Sequence, residues 1–421
     1  MFKLRIAAWL FAVSFLTIPA SRADAALRFQ FDFGSGPAAT GWTKVLPTTI
    51  YSQDLGYGFE PGASLSAVER EGNNFYFNDF VTSARPFHFS VALPEGNYRV
   101  TVMLGDAAGA STNTIKAESR RLMLENVVTA PGKFATRSFT VNIRTPAIST
   151  GGAVKLKDRE KDYLHWDDKL TLEINGARPC VAAVEIRPAP VITVYLAGDS
   201  TVTDQPREPW NSWGQMLPRF FNADVAVANH AESGESFKSS IGAHRFDKIF
   251  STMKPGDYLF MQFGHNDMKD KAADALASYK SNLERFVERA RKAGATPVLI
   301  TSMERKGGVD RDTLGDYPKT VRDVAREKSV ALIDLHAMSK VFYRALGTNI
   351  GRAFQDGTHH NNYGSYELAR CVVEGIKANQ LPLAKLIAPD VAAFDPAHPD
   401  PVDQFAVPPS PQRDATKPDG N

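Results

Sequence analysis

A doubly wound α/β domain preceded by an antiparallel β-sandwich is the fold this 421-residue sequence predicts. Three observations point to it. The texture of the chain changes at Pro188–Pro190. Before that point short alternating segments dominate and no helical pattern appears; after it, apolar strands alternate with amphipathic helices.

The elements follow in chain order. Residues 1–25 carry Lys3 and Arg5, an apolar run from Ile6 to Pro19, and the small-residue site Ala23-Asp24-Ala25. That pattern predicts a secretory signal peptide cleaved after Ala25, too short in its apolar run for a membrane span. An exported protein, secreted or periplasmic, is expected. The formal charge is +2. Residues 1–25 hold three basic groups against one acidic, so the remainder is balanced. No basic block of the kind used on nucleic acid or a membrane surface is present, and neither partner is expected. The two cysteines, Cys180 and Cys371, suit either a bridge or two buried thiols. The oligomeric state is left open.

Residues 26–188 are expected to form the sandwich. "LRFQFDF" (27–33), "FHFSVAL" (87–93), "YRVTVML" (98–104) and "RSFTVNI" (137–143) alternate with period two. "KLTLEINGARPCVAAVEIRP" offers two strands joined by a loop that begins with Asn175-Gly176. Residues 191–387 predict the α/β domain. Its strands are "VITVYLAG", "DVAVAN" (224–229), "DYLFMQFG" (257–264), "TPVLITS" (296–302) and "VALIDL" (330–335). Between them, "LASYKSNLERFVERARKAG" (276–294) places Leu283, Phe286, Val287 and Ala290 on one helical face. From Ala388 to Asn421 the chain is rich in Pro, Asp and Ala without periodicity. It predicts an extended tail, partly disordered at its end.

The chemistry gathers where strands end. The first α/β strand runs into Gly198-Asp199-Ser200, the second into "NHAESGES" (229–236), the third into "FGHND" (263–267), and "DGTHHNNYG" (356–364) precedes the last helix. Alone, Asp199-Ser200 also suits a helix cap. Together the blocks supply what ester hydrolysis needs: a nucleophile (Ser200), a base (His359), a carboxylate to orient it (Asp356), and oxyanion donors from Gly234, Asn266 and the Ser200 amide. A carboxylate three residues before a histidine can reach its Nδ1–H and leave Nε2 to take the serine proton. The G-x-S-x-G elbow of α/β-hydrolases is absent, since Val202 stands at its second Gly. Asp199 is expected to brace the serine turn, Asp267 to cap or orient its loop, and His265 and His360 to be structural neighbours. Trp210, Trp213 and Tyr363 are candidates to stack on a ligand ring, with Trp213 better suited to the core. Lys238, Arg245 and Lys248 are candidates to meet an anionic ligand, or form a solvated helix face.

In these four ordered blocks the chain resembles the SGNH (GDSL-type) hydrolases over residues 191–385, and most of all their rhamnogalacturonan acetylesterase branch. The resemblance implies a three-layer flavodoxin-like domain that works without metal or organic cofactor. It also implies removal of acetyl groups from plant cell-wall polysaccharide by Ser200, His359 and Asp356. Acetylated rhamnogalacturonan is the first expected substrate, with acetylated xylan or another hemicellulose as the alternative. "FDFGSG" and "GYGFEPG" give the front half a likeness to the galactose-binding-like sandwich found ahead of some such esterases. Many single-domain members lack that front half. Two readings of another class remain open at this point. The "GHND" block with His265, Asn266 and Asp267, together with Asp199, His359 and His360, offers donor types that a metal-dependent phosphoesterase uses, and the sandwich could make the protein a non-catalytic glycan binder.

Overall fold

The computed structural model describes residues 27–71 and 78–419. The expected signal peptide lies outside them. In the front half, two sheets pack face to face. One holds seven strands, running Lys133–Ile143, Gly96–Asp106, Val181–Pro188, Phe29–Phe33 and Thr43–Val45, with Asp79–Thr82 and Ser66–Glu69 branching off Val181–Pro188. The other holds five, in the order Tyr57–Phe59, Phe87–Ala92, Lys169–Arg178, Ser111–Ala117 and Arg121–Thr129. Pairing is antiparallel except between Phe29–Phe33 and Thr43–Val45. The period-two pattern turns Phe31 and Phe33 of one sheet onto Phe59 and Phe89 of the other. Their rings meet edge to face, with centroids 4.8 Å apart for Phe33 and Phe89.

Asn175-Gly176 does not end a strand. Lys169–Arg178 runs through it, and its register against Ser111–Ala117 shifts between Asn175 and Arg178. Gly176 has φ +135°, and a Cβ there would fall 2.0 Å from Thr112 O. The dipeptide therefore makes a bulge, where glycine admits the neighbouring backbone, instead of the expected loop. Val181–Pro188 then joins the opposite sheet, so the two strands are not partners.

The back half is a five-stranded parallel sheet in the order Val225–Asn229, Ile192–Gly198, Tyr258–Gln262, Thr296–Ile300, Ala331–Ile333. That is the 2-1-3-4-5 winding of flavodoxin-like folds. Ala275–Lys292 buries Leu283, Phe286, Val287 and Ala290 on one face of the sheet, beside Tyr317–Glu327 and Arg245–Thr252. Leu335–Leu346 and Asn362–Ala378 cover the other. Cys180 and Cys371 are free, buried thiols. Among the described residues no helix is long and apolar enough to cross a membrane.

The halves are tied by buried charge. Arg121 Nε meets Asp204 Oδ2 at 2.6 Å, Arg120 meets Glu208 at 2.6 Å, and Arg245 reaches across to Glu160 at 2.7 Å. Leu122, on a sandwich strand, packs into the core of the α/β half. The described part of the tail is extended apart from turns at Ala388–Val391 and Asp395–His398 and a 3-10 turn at Val402–Gln404. Phe394 and Val407 are nonetheless buried on the α/β core, and Lys116 of the sandwich donates to Pro408 O and Ser410 Oγ at 2.8 and 2.7 Å. Scattered apolar side chains anchor it where no periodicity announces them, and its contacts continue to Asp419.

Candidate active site

Strand Ile192–Gly198 lies inside the sheet, paired on both edges, so its carboxyl end opens into the crevice beyond the strands. The chain turns sharply there: Val202 N donates to Asp199 O at 3.0 Å. Glycine is required at 198, where a Cβ would come within 2.8 Å of Gln262 O and Val202. Asp199 accepts from Thr201 N and Oγ1 at 2.9 and 2.7 Å, and its other oxygen lies 3.4 Å from His265 Nδ1. Burial opposes its charge, but His265 and Thr201 together hold its carboxyl below the usual range.

Three side chains line up on this turn. Ser200 Oγ lies 2.8 Å from His359 Nε2, and His359 Nδ1 lies 2.9 Å from Asp356 Oδ2. The second Asp356 oxygen accepts from the amides of Thr358 and His359 at 2.6 and 2.7 Å. One carboxylate thus closes the loop and orients the ring. Burial works against its charge, yet the His359 ring and these amides hold its carboxyl well below the ordinary carboxylate range. Ser200 and His359 are both buried, and the Trp210 ring stands edge-on to His359 at 5.7 Å.

Gly234 sits at φ +79°, a left-handed turn that glycine adopts without strain. Among the described residues, nothing accepts a hydrogen bond from the backbone N–H of Ser200 or of Gly234. Asn266 Nδ2 donates to Glu235 O at 3.0 Å while its Oδ1 accepts from Lys269 at 3.0 Å. An amide NH2 has two hydrogens, and Glu235 takes one. The arrangement can pass a proton from serine to histidine and offer N–H groups to a developing oxyanion.

The remaining candidates separate. His265 Nε2 pairs with Met303 O at 3.0 Å, and His360 Nε2 with the Tyr343 hydroxyl at 2.8 Å. Burial keeps the His360 ring neutral, with its pKa down at about 3. The donors that the phosphoesterase reading needs are therefore turned to different partners. Among the described residues the grouping with ligand-metal spacing is Glu304, Asp312 and His336, which includes none of the phosphoesterase donors; there Thr313 donates to Glu304 and Lys340 pairs with Asp312. Asp267 accepts from Phe237 N at 2.9 Å, at the start of the helix Phe237–Gly242. Trp213 is core, its Nε1 on Gln262 at 2.8 Å, and the Tyr363 hydroxyl bonds Asp400 O in the tail. Arg245 turns inward to Glu160 and Glu235, Lys248 to Glu95, and Lys238 stays exposed.

The cations that do face the cleft come from elsewhere. Lys157 and Arg159, on the front half, both donate to Ser233 O, and Arg159 also pairs with Glu232 at 2.6 Å. Gln205 donates to Ser200 O at 2.8 Å and to Ser233 Oγ at 3.2 Å. In the sequence "KLKDREKDY" is an ordinary solvated loop, and nothing in its pattern marks it as a cleft wall.

Comparison with known proteins places these features among relatives. Residues 196–365 match the GDSL-like lipase/acylhydrolase family, and residues 29–148 match the β-agarase/YXIM esterase-like, galactose-binding domain-like family. The chain is 37% identical to the rhamnogalacturonan acetylesterase RhgT of Bacillus subtilis, over 46% of its own length and 92% of that protein. It is 27% identical to the uncharacterized esterase YxiM of the same organism, over 83% of its length and 90% of that protein. A crystal structure of that Bacillus subtilis YxiM protein superposes with a TM-score of 0.45 at 25% identity, covering 85% of this chain and 99% of that one.

Proposed function

The chain belongs to the GDSL-like lipase/acylhydrolase family and is a carboxylic-ester hydrolase, and from that premise we propose that it is an exported carbohydrate O-deacetylase using Ser200, His359 and Asp356. The observation that carries the reading is the unbroken line Ser200 Oγ–His359 Nε2–His359 Nδ1–Asp356 Oδ2, at 2.8 and 2.9 Å. Ser200 Oγ attacks the acetyl carbonyl as His359 Nε2 takes its proton. The oxyanion lies among the amides of Ser200 and Gly234 and the side chain of Asn266. Collapse expels the sugar hydroxyl, which receives the proton from His359. A water molecule, deprotonated by the same nitrogen, then releases acetate from Ser200. Asp356 stays ionised throughout and stabilises the imidazolium.

The name of the RhgT relative supports acetylated rhamnogalacturonan as the substrate. Residues 191–387 then form the catalytic domain, 26–188 an accessory sandwich, 388–421 a tail, and 1–25 the export signal. The test is acetate release across acetylated rhamnogalacturonan, homogalacturonan and xylan. Turnover fastest on the first is the expected result. Release from xylan alone moves the substrate to hemicellulose, and release from none of them overturns the carbohydrate assignment.

A further inference from the structure

Beside the Ser200 turn the chain's own C-terminal segment walls a cavity of about 340 Å³. It is lined by Arg159 and Tyr163 from the front half, by Gln205, Arg207 and Trp210 from the loop after Ser200, and by Asp414 and Thr416 to Asp419 from the tail, with Gln205 donating to Ser200 O and the Trp210 ring against His359. The segment is pinned along this loop by Asp414 N on Glu208 O at 2.8 Å and by the Trp210 indole on Asp414 O at 3.1 Å. It then passes the reacting groups. Lys417 Nζ comes within 3.7 Å of Asp356 Oδ2, and Asp419 Cβ lies 2.9 Å from where a side chain on Gly234 would start.

Two guanidiniums hold this segment, each by a carboxylate. Arg207 meets Asp414 at 2.8 Å, and Arg159 meets Asp419. Both arginines remain reachable from solvent, with 55% and 33% of their side-chain surface exposed. Arg159 is also anchored on Glu232 and Ser233 O, bonds that would keep it in place once the tail had left. Exposed ion pairs of this kind are individually weak. They hold here because a tethered segment has a high effective concentration, and a ligand with its own carboxylates can replace them.

We propose that Arg159 and Arg207 are specificity-determining residues that read carboxylates flanking the scissile ester, and that Asp414 and Asp419 occupy them until an acidic glycan displaces the tail. The ligand class is a uronate-bearing oligosaccharide. Planar guanidinium forks match carboxylates in geometry as well as charge. This rests on the deacetylase reading for the identity of the substrate, but not for its test.

That test is binding, which needs no turnover. The full chain is titrated calorimetrically with unesterified oligogalacturonate, and with neutral xylo-oligosaccharide of the same length. The same sugars are tested as competitive inhibitors of aryl acetate hydrolysis. The uronate is expected to bind about 10-fold tighter than the neutral sugar, and more weakly as salt rises. Arg159→Gln and Arg207→Gln each weaken uronate binding about 10-fold and leave the neutral sugar's affinity in place. Asp414→Asn with Asp419→Asn tightens uronate binding several-fold, because the competitor is lost. Equal affinity for charged and neutral sugars, or an unchanged uronate affinity in both arginine variants, overturns the proposal. Since Arg207 lies at the rim, its variant decides the matter if Arg159→Gln loses the fold. Uronate binding with no acetate released from any polysaccharide would leave the carboxylate site standing and sink only the deacetylase reading.

Discussion

The carboxyl edge of the parallel sheet and the wall that faces it are assembled on different terms. Ser200, Gly234 and Asn266 follow three strands of one sheet, and Asp356 and His359 share one loop turn of the same half. Their positions rest on a rigid ladder and short local bonds, which is what proton transfer over 2.8 Å demands. The wall draws Arg159 and Tyr163 from the sandwich, Arg207 and Trp210 from a long loop, and Asp414 and Asp419 from the tail. Charge recognition acts over longer distances than bond making and tolerates parts brought from separate elements. On the proposed reading, the reacting atoms come from one fold unit, while recognition is pieced together across several.

The sharpest way to break that contrast is Ser200→Ala. With the fold retained by circular dichroism, kcat on aryl acetates is expected to fall by about 10³ or more, the loss that follows removal of a triad nucleophile. Full activity would mean that the line of Ser200, His359 and Asp356 is not the reacting centre. The seam is tested next. Asp204→Ala leaves the Arg121 guanidinium buried without its carboxylate, a loss of about 3–5 kcal/mol by the usual behaviour of broken buried pairs. Urea unfolding should show it. A change below about 1 kcal/mol would show that the two halves do not depend on this pair.

Asn266→Ala addresses the oxyanion side. It is expected to lower kcat by about 10²–10³ with little change in KM, since the amide meets charge that develops only in the transition state. Turnover should survive dialysis against EDTA in the wild type, and Mn²⁺ or Zn²⁺ should not rescue the variant. Metal rescue would instead make Asn266 a ligand.

The smallest effect concerns Asp267, whose second oxygen has no hydrogen-bond partner. Burial pushes its carboxyl up from 3.8 to about 7. The folded state therefore keeps a proton that the unfolded state releases, and stability is expected to fall as pH rises from about 4 to about 7. Asp267→Asn removes that dependence. The difference between wild type and variant, from urea midpoints at both ends of the window, should shift toward the variant by at least about 1 kcal/mol. An unchanged difference would mean that Asp267 is ionised in the fold at both ends.

By itself the sequence determined whatever is written in local order. Period two in "RSFTVNI" and the 3.6-residue stripe of Leu283, Phe286, Val287 and Ala290 specify their elements, because a strand or helix shows one face at a fixed spacing. Asp356 and His359 were legible as a pair because three residues of one turn separate them. Asn175-Gly176 misled because the dipeptide serves a turn and a bulge equally, and only the approach of Thr112 O decides between them. The tertiary structure alone decided the rest. Arg121 finds Asp204 across 83 residues, and Arg159 finds Asp419 across 260. A charged side chain has the same sequence pattern whether it faces water or a carboxylate. Its partner is chosen by chain topology and by burial, neither of which leaves a periodic trace.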